Sequence, residues 1–502
     1  MPRFPFNNKR IVADTGSFQD FPWEEVLAVA QDFVSRESPD SVWPFERAGA
    51  EALANSDRKV FLHYFTPFPL SFDNKPVDED YYRKQYLERR GENGKFAHVG
   101  GYLRERPLGA GTFTGPHWQA TNIAIDVLRA QKLGADGFGV DLQQLDQGRY
   151  WDNATALFGA AQASKTGFRI LIEPDTDILK GIPADHLVKT LSGLGQHPAA
   201  YKLPDGRLLL APFAPEEQSL EFWQTILNGL KNAGVPTAFL PVFNNLRKNA
   251  SIFAPISYGM SEWGNRDPVS VDNDPAIQVW QRLKGPKALW MEAIVSQDVR
   301  PKKSIFWEGV NTALFRHSWM KAIKENAQYA HVITWNDYSE ATEIEPSSGT
   351  QFLFYDLSAY FIHWFKLGRP PRIVRDTIYY SHRREIFETG KPLQTDDIPM
   401  KLMGLGPVQN QVEMVALLTS PATLEIWQGN KVQRSEAGSG LAVLKTPARI
   451  GRPLFRIVRE GKTVVEKVSD WEIIGNSSVE DPLYAGGGSN RVFVRGGDWH
   501  QK

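Results

Sequence analysis

Two carboxylates, Asp337 and Glu340, stand three residues apart in the stretch 332–346 (VITWNDYSEATEIEP), at the end of an apolar run typical of a strand. In a loop, this spacing can place the two carboxyls on opposite sides of a bound sugar. Inverting hydrolysis of a glycosidic bond requires such a pair roughly 6.5–9.5 Å apart, with room for a water. The pattern also fits a helix N-cap, because Asp followed three residues later by Glu resembles a capping box. The neighbouring side chains favour catalysis: Trp335, Asn336 and Tyr338.

Further acidic and aromatic side chains follow other apolar runs. If these runs are parallel strands of one barrel, their carboxyl ends meet at the active-site edge. We therefore expect the following residues to join the three neighbours of the carboxylate pair in binding sugar: His63, Tyr64, Asp141, Asp175, Asp177, Tyr258 and Trp263.

For several of these residues, a purely structural role is an alternative to sugar binding. Side chains alternate across a strand, so only one of His63 and Tyr64 can face the cleft. Asp141 also suits a structural cap after its strand, and the sequence PDTD at 174–177 suits a turn. Glu173 could pair with a buried Arg or Lys, whereas Glu343 and Glu345 fit a solvated face.

The elements that must position these residues form an alternating pattern. Eight short apolar runs, most of them separated by helix-like segments, predict a (β/α)8 TIM barrel rather than an open doubly wound sheet. The runs cover 60–65, 137–142, 168–173, 208–213, 237–243, 252–258, 288–295 and 331–335. The sixth run is the weakest, because little helix fits between residues 244 and 251. The segment 66–116 is too long for a simple connection and predicts a lid or cleft wall.

The pattern changes along the chain in a way that predicts five parts. After the barrel, strand-like runs separated by turns indicate a small C-terminal β-sandwich domain. The predicted parts are an N-terminal helical lead-in at 1–57, the barrel at 58–367, a connector at 368–399, the β-sandwich at 400–475 and a tail at 476–502.

Composition excludes several classes of function. The 502 residues carry a net charge of −1, which offers no overall attraction to nucleic acid or to an anionic membrane. The chain has no cysteine and shows no P-loop, Rossmann fingerprint or HExxH motif, and no apolar run reaches membrane-spanning length. We expect no metal and no cofactor, and a polysaccharide or oligosaccharide as the partner. Aromatic residues make up 12% of the chain, which fits a large core or a sugar-stacking cleft.

The stretch around Asp337 and Glu340 resembles glycoside hydrolase family 71, the α-1,3-glucanases or mutanases, whose hallmark is WNDYGE at the last barrel strand. The segments 60–65, 134–142 (GADGFGVDL), 168–177 (FRILIEPDTD) and 415–429 also resemble that family, in the same order. Ser339 departs from the family glycine, and Ala341-Thr342 replaces a Ser-His pair.

The resemblance implies an inverting hydrolase of α-linked glucan, with Asp337 and Glu340 as its catalytic carboxylates. We expect Glu340 to be the general acid and Asp337 to be the base. The resemblance also implies an extracellular or periplasmic protein, although the first residues lack the apolar segment of a signal peptide. An endo-α-mannosidase-like hydrolase of family 99 and a non-catalytic carbohydrate-binding barrel are the alternatives.

Overall fold

The structure, a computed structural model, describes residues 21–388, 397–475 and 480–494. The outer parts of the predicted lead-in and tail, and the stretches 389–396 and 476–479, lie outside the described residues. The helices are α1 Trp23–Glu37, α2 Ala50–Ala54, α3 Trp118–Leu133, α4 Arg149–Ala163, α5 Thr176–Leu179, α6 Ala184–Gln196, α7 Leu220–Asn232, α8 Leu246–Phe253, α9 Pro268–Asp272, α10 Ala276–Lys284, α11 Ala313–Lys324 and α12 Leu353–Leu367. None of the helices in this part of the chain is long and apolar enough to cross a bilayer.

The strands fall into one large parallel sheet and three smaller sheets. They are β1 Lys59–Tyr64, β2 Gly137–Leu142, β3 Arg169–Pro174, β4 Leu208–Leu210, β5 Thr237–Phe239, β6 Val242–Phe243, β7 Gly259–Glu262, β8 Leu289–Val295, β9 Val299–Arg300, β10 Ile305–Trp307, β11 Tyr329–Ile333, β12 Thr377–Arg383, β13 Lys401–Met403, β14 Gln411–Leu418, β15 Ala422–Gln428, β16 Lys431–Ala437, β17 Gly440–Pro447, β18 Leu454–Arg459, β19 Lys462–Val468 and β20 Tyr484–Gly488.

The large sheet has nine parallel strands in the order β5-β4-β3-β2-β1-β11-β8-β7-β6. Its first and last members, β5 and β6, are consecutive pieces of one extended segment. That segment bonds to both neighbours: Leu240 N donates to Leu210 O at 2.8 Å, and Tyr258 N donates to Phe239 O at 2.8 Å. The sheet therefore curls around an interior, and this interior is filled by a compact set of apolar and aromatic side chains: Phe61, Leu171, Tyr201, Leu209, Met291 and Tyr329.

The predicted strand at 252–258 is wrong. Residues Leu246–Phe253 form helix α8, and the strand begins only at Gly259. The helix is capped by Asn245, whose side chain accepts from Lys248 N at 3.3 Å. Its buried residues, Leu246, Ala250 and Phe253, follow helical spacing. Residues 254–258 of the predicted strand connect this helix to β7.

The C-terminal part consists mainly of two four-stranded antiparallel sheets, β17-β14-β12-β20 and β16-β15-β18-β19, which share one apolar core. Strand β12 lies in the range predicted as a connector, and β20 lies in the range predicted as a tail. β12 is central in its sheet, because it pairs with β14 on one side and β20 on the other. The remaining sheet, β13-β10-β9, joins residues 401–403 to the loop region of the large sheet.

A buried ion pair joins the two parts of the chain. Glu308, which follows β10, accepts from Arg383 Nη2 at 3.0 Å and from the Tyr484 hydroxyl at 2.6 Å. Its carboxylate also accepts from the backbone N–H groups of Val310 and Gln409. Two of these four hydrogen bonds therefore fix β12 and β20 to the loop that follows β10.

We expect Glu308→Ala to lower the free energy of unfolding by roughly 3–5 kcal/mol, because it leaves the buried Arg383 guanidinium without its counter-ion. Urea denaturation at pH 7 measures the change. The exposed pair of Arg456 with Glu466 supplies the control, since Glu466→Gln should cost no more than about 1 kcal/mol. Equal effects of the two substitutions would contradict this account of the junction.

Candidate active site

The carboxyl ends of the parallel strands carry most of the predicted functional residues. Asp337 follows β11, is 6% exposed, and holds its own loop together. Its Oδ1 accepts from Ser339 Oγ at 2.7 Å, from Ser339 N at 2.9 Å and from Glu340 N at 3.3 Å. Burial raises the pKa of Asp337, while the Ser339 hydrogen bond and the positive charge of Arg300 oppose that rise.

Glu340 lies close enough to Asp337 for the two charges to interact. Its Oε1 pairs with Arg300 Nη1 at 2.8 Å, and its Oε2 is buried without a hydrogen-bond partner. Burial and the negative charges of Asp298 and Asp337 raise the pKa of Glu340 to about 8, against the opposing charges of Arg300 and Arg266. This carboxyl is therefore protonated near neutral pH.

Asp298 organises the cations around Glu340. This fully buried carboxylate accepts from Arg300 Nε at 2.7 Å and Nη2 at 2.6 Å, and from Arg266 Nε at 2.8 Å. Two arginines, Arg266 and Arg300, thus pair with Asp298, and Arg300 also pairs with Glu340. The sequence analysis missed this group, although the alternation of Asp298 and Arg300 just beyond a predicted strand was a usable signal.

A second group of ionisable side chains, near the candidate catalytic carboxylates, lies in the interior of the sheet. His63 Nδ1 forms a hydrogen bond with Glu173 Oε2 at 2.6 Å. His331 Nε2 lies 3.0 Å from Glu173 Oε1, but this second contact does not have hydrogen-bond geometry. The two histidines lower the pKa of Glu173 to about 2 despite its burial. Gly139 makes room for this carboxylate, because a Cβ there would lie 2.3 Å from Glu173 Oε1.

The same three side chains are the one group of its kind in the described residues with metal-ligand spacing, their ligand atoms lying within 4.8 Å of one another. Ligands of a tetrahedral zinc stand about 3.3 Å apart, given metal–ligand distances of roughly 2.0–2.2 Å. The 2.6 Å contact between His63 and Glu173 is shorter than that and has hydrogen-bond geometry. We therefore describe the group as an ion-paired cluster.

Asp141, Asp175 and Trp263 surround this interior layer. Gln143 Nε2 donates to Asp141 Oδ2 at 2.8 Å and reaches Asp175 Oδ2 at 3.5 Å. Burial, followed by the charges of Asp175 and Glu173, raises the pKa of Asp141 well above its usual range. The half-buried Trp263 ring meets the edge of His63 with ring centroids 4.8 Å apart. These side chains line the same end of the sheet as Asp337.

Four predicted sugar ligands instead pack inside the protein. Tyr64 faces α3 and donates to Asp126 Oδ2 at 2.9 Å, on the side of β1 opposite His63. Asn336 ties down the loop after β1, where it accepts from Phe65 N at 2.7 Å and donates to Phe68 O at 2.7 Å. The other two are also buried: Trp335 and Tyr338. They hold the active-site loop rather than line the cleft.

Two further predicted ligands lie away from this cluster. Asp177 is an exposed side chain paired with Lys180 at 2.8 Å. Tyr258 precedes β7, at the amino-terminal end of the sheet, where the Arg207 guanidinium stacks 4.7 Å from its ring centroid. The wrongly predicted strand at 252–258 explains the error for Tyr258, because it placed this residue at the carboxyl end of the sheet.

The prediction of a solvated face at Glu343 and Glu345 is also wrong. Both side chains are 1% exposed. Glu345 Oε1 lies 3.1 Å from Arg129 Nη1 and its Oε2 accepts from the Tyr338 hydroxyl at 3.0 Å. Local spacing could not reveal this burial, because the covering residues come from distant parts of the chain.

Comparison with known proteins assigns this arrangement to a family. The family model described as glycosyl hydrolase family 71 matches residues 113–481, which include both catalytic candidates. The chain belongs to glycosyl hydrolase family 71. It is therefore a glycoside hydrolase, and the family 71 resemblance drawn from the motif is confirmed.

Named relatives of this family 71 hydrolase span most of its length. An ascus wall endo-1,3-alpha-glucanase of Schizosaccharomyces pombe is 22% identical over 403 residues, covering 70% of this chain and 89% of that protein. A mutanase of Penicillium rubens is 22% identical over 413 residues, covering 74% of this chain and 87% of that protein. Among solved structures, the GH99 endo-alpha-mannosidase of Bacteroides thetaiotaomicron covers 62% of this chain and 98% of its own, with TM-score 0.47 and 13% identity.

We expect Glu173→Gln to destabilise this family 71 hydrolase by roughly 3–5 kcal/mol at pH 7, because it removes the buried carboxylate that both His63 and His331 contact. The pKa of Glu173 is lowered in the folded state, so its stabilising contribution is present above about pH 4.5. The contribution should disappear as pH falls toward about 2. Urea denaturation of wild type and Glu173→Gln between pH 7 and pH 3 measures how their difference in free energy of unfolding decreases.

Asp177→Asn is the matched control, because it neutralises an exposed carboxylate four residues further along the chain, in α5. Its unfolding free energy should stay within about 0.5 kcal/mol of wild type at every pH. The ionic role of Glu173 would be contradicted if the difference in unfolding free energy between Glu173→Gln and wild type stayed constant over this pH range.

Proposed function

We propose that this glycoside hydrolase cleaves α-linked glucan, most specifically α-1,3-glucan, by single-displacement inversion. The observation that carries the mechanism is the asymmetry between its two adjacent carboxyls. Asp337 Oδ1 accepts from three donors, whereas Glu340 Oε2 is buried with no partner. A proton shared by the pair therefore resides on Glu340, because hydrogen bonds to a charged carboxylate stabilise the ionised form.

The proposed substrate rests on the family and on its named relatives. A glucanase and a mutanase match this chain over most of both lengths. The cleft that would bind the polysaccharide or oligosaccharide contains His63, Trp263, Asp141 and Asp175, which offer aromatic surface and hydrogen-bonding groups beside the catalytic pair. Sugar recognition uses these two kinds of contact.

We also propose that the nine strands form a closed (β/α)8 barrel, in which β5 and β6 count as one interrupted strand. The support comes from residues 237–243, which bond to β4 and its following residues on one side and to β7 on the other. Val242 N donates to Pro212 O at 3.0 Å, and Trp263 N donates to Phe243 O at 2.8 Å. Closure would bring His63 and Trp263 to a common mouth.

In the proposed reaction, Glu340 gives its proton to the glycosidic oxygen as the bond from that oxygen to the anomeric carbon breaks. Asp337 takes a proton from a water that attacks the anomeric carbon from the opposite face. The product then has the β configuration. Glu340 ends ionised beside Arg300, and Asp337 ends protonated. Before the next turnover Asp337 must release a proton to solvent and Glu340 must take one up.

We expect incubation with α-1,3-glucan to release the β-anomer first, as followed by proton NMR of the anomeric signal. Glu340→Gln and Asp337→Asn should each lower the rate roughly 10²–10⁴-fold, because each removes a positioned acid or base. Mixed-linkage α-glucan and α-mannan serve as comparison substrates. Release of the α-anomer, or activity on mannan alone, would overturn this proposal.

We expect the loss of activity at alkaline pH to follow the deprotonation of Glu340. Its pKa of about 8 predicts that kcat/KM falls above about pH 8, where the acid loses its proton. Asp298→Asn should move this limit to lower pH by about one unit, because it removes a charge that raises the pKa of Glu340 and frees Arg300 to stabilise the ionised form. A pH–rate profile measures both effects, and circular dichroism checks that the variant is folded.

A further inference from the structure

Trp307, the last residue of β10, lies against the arginine that pairs with Glu340. The guanidinium carbon of Arg300 is over the Trp307 indole, 5.0 Å from the ring centroid. Strands β9 and β10 are antiparallel and place Ile305 opposite Arg300, so Trp307 occupies the diagonal position on the same face. Aromatic and long side chains reach each other across such a diagonal. Neither the motif nor the comparisons assign a role to Trp307.

Arg300 divides its N–H groups between two carboxyls. Its Nε and Nη2 donate to Asp298 at 2.7 and 2.6 Å, and its Nη1 lies 2.8 Å from Glu340 Oε1. All N–H groups of a guanidinium lie in its plane, so its two faces make no hydrogen bonds. An aromatic ring over one face therefore attracts the cation without competing for either carboxyl.

Backbone contacts on both sides of β10 fix the half-buried Trp307. Its N–H donates to Asp298 O at 3.0 Å, which ties the indole to the residue that Arg300 binds. On the other side β10 pairs with β13, where Met403 is the partner of Trp307. Gly404 follows with a φ of +80°, and a Cβ there would lie 2.8 Å from Trp307 Cδ1. The C-terminal part of the chain thus closes directly on the indole.

We propose that Trp307 is a positioning residue that holds the Arg300 guanidinium against Glu340. The two hydrogen bonds to Asp298 fix one edge of the guanidinium, about which its plane can still tilt. The indole on one face opposes this tilt, so Nη1 stays beside Glu340 Oε1. Trp307 acts on Glu340 only through Arg300. The inference rests on the proposed role of Glu340 as the general acid.

Several charged groups face Glu340, and Trp307 can be replaced without removing any of them. They come from the loops after β7, β8 and β11 and from β9: Arg266, Asp298, Asp337 and Arg300. A further carboxylate, Asp267, approaches Gly404 beside the indole. The aspartates Asp298 and Asp337 raise the pKa of Glu340 and the two arginines lower it. A weaker hold on Arg300 should therefore raise this pKa, whereas Asp298→Asn should lower it.

The first measurement needs no substrate. Carboxyl carbon NMR of the whole protein labelled in glutamate follows the pKa of Glu340, with the signal assigned through Glu340→Gln. We expect Trp307→Leu to raise this pKa by about half a unit, because Arg300 then stabilises the ionised form less. Trp307→Phe should keep the pKa within about 0.2 units of wild type, since it retains an aromatic face for the cation.

The second measurement reports how firmly Arg300 is held. Nitrogen-exchange NMR gives the rate of rotation about its Cζ–Nε bond, with the signal assigned through Arg300→Lys. Trp307→Leu should speed this rotation roughly two- to fivefold, the factor that corresponds to one cation–π contact at a partly exposed site. A tetrafluorinated tryptophan placed at position 307 keeps the shape of the ring but weakens its negative face, so it should change the rate and the Glu340 pKa in the same direction. This second variant keeps the test decisive even if Trp307→Leu fails to fold.

Kinetics add a third measurement on the same variants. With a soluble α-1,3-linked glucooligosaccharide, the alkaline limit of kcat/KM should move upward with the Glu340 pKa in Trp307→Leu. At the optimum kcat should fall about tenfold, because the acid is less well oriented, and KM should change little. Trp427→Leu is the matched control, because this half-buried tryptophan also faces an arginine, with Arg434 Cζ 5.3 Å from its ring centroid, but lies in β15 of the C-terminal sheets. It should change none of these quantities.

The possible outcomes separate this inference from the proposed function. An unchanged Glu340 pKa and an unchanged Arg300 rotation in the Trp307 variants would overturn the inference. An effect of Trp307→Leu confined to KM would do so as well, since it would make Trp307 a sugar contact, and so would equal changes in Trp427→Leu. If wild type hydrolysed no α-glucan, the proposed function would fail, while the two NMR measurements would still decide whether Trp307 holds Arg300 against Glu340.

Discussion

Burial of several carboxyl groups at one end of the sheet is the constraint on which the rest of the structure depends. An ionised carboxylate removed from water needs a counter-charge or several hydrogen bonds, and otherwise it takes up a proton. Each of these solutions is present here. Glu173 has two histidines, Asp298 has two arginines, and Asp337 has three donors on one oxygen. Glu340 has one shared arginine, and its pKa rises to about 8.

These different solutions explain how two carboxyls three residues apart can have different protonation states. Hydrogen bonds within the loop favour an ionised Asp337, whose Oδ1 has three donors there. Asp298 acts on Glu340, because its charge raises the pKa of Glu340 and because it binds two N–H groups of Arg300. The proposed acid and base roles therefore depend on a residue that contacts neither the water nor the sugar in the proposed reaction.

The surrounding fold supplies the rigidity that this arrangement requires. Asn336 attaches the loop after β11 to the residues after β1, and Tyr338 packs that loop against the segment between β1 and α3. Gly139 leaves the space that Glu173 occupies. Glu308 joins strands β12 and β20 of the C-terminal sheets to the end of β10, which pairs with the strand that contains Arg300. Asn336 and Tyr338, on either side of Asp337, thus hold the loop in place, which explains why these motif residues are almost fully buried.

Local pattern determined much of this protein. The alternation of apolar runs and amphipathic segments follows from short-range periodicity, so it predicted a parallel α/β architecture, and the motif after the last strand identified Asp337, Glu340 and the family. Pattern failed where the answer depended on partners far away in the chain. Arg300 and Asp298 stand about forty residues before Glu340, and Arg129 stands more than two hundred before its partner Glu345. Whether Glu345 faces water and which face of β1 points inward could be read only from the tertiary structure. Both depend on how the sheet curls and on what covers it, because burial and electrostatic pairing are properties of the packed chain.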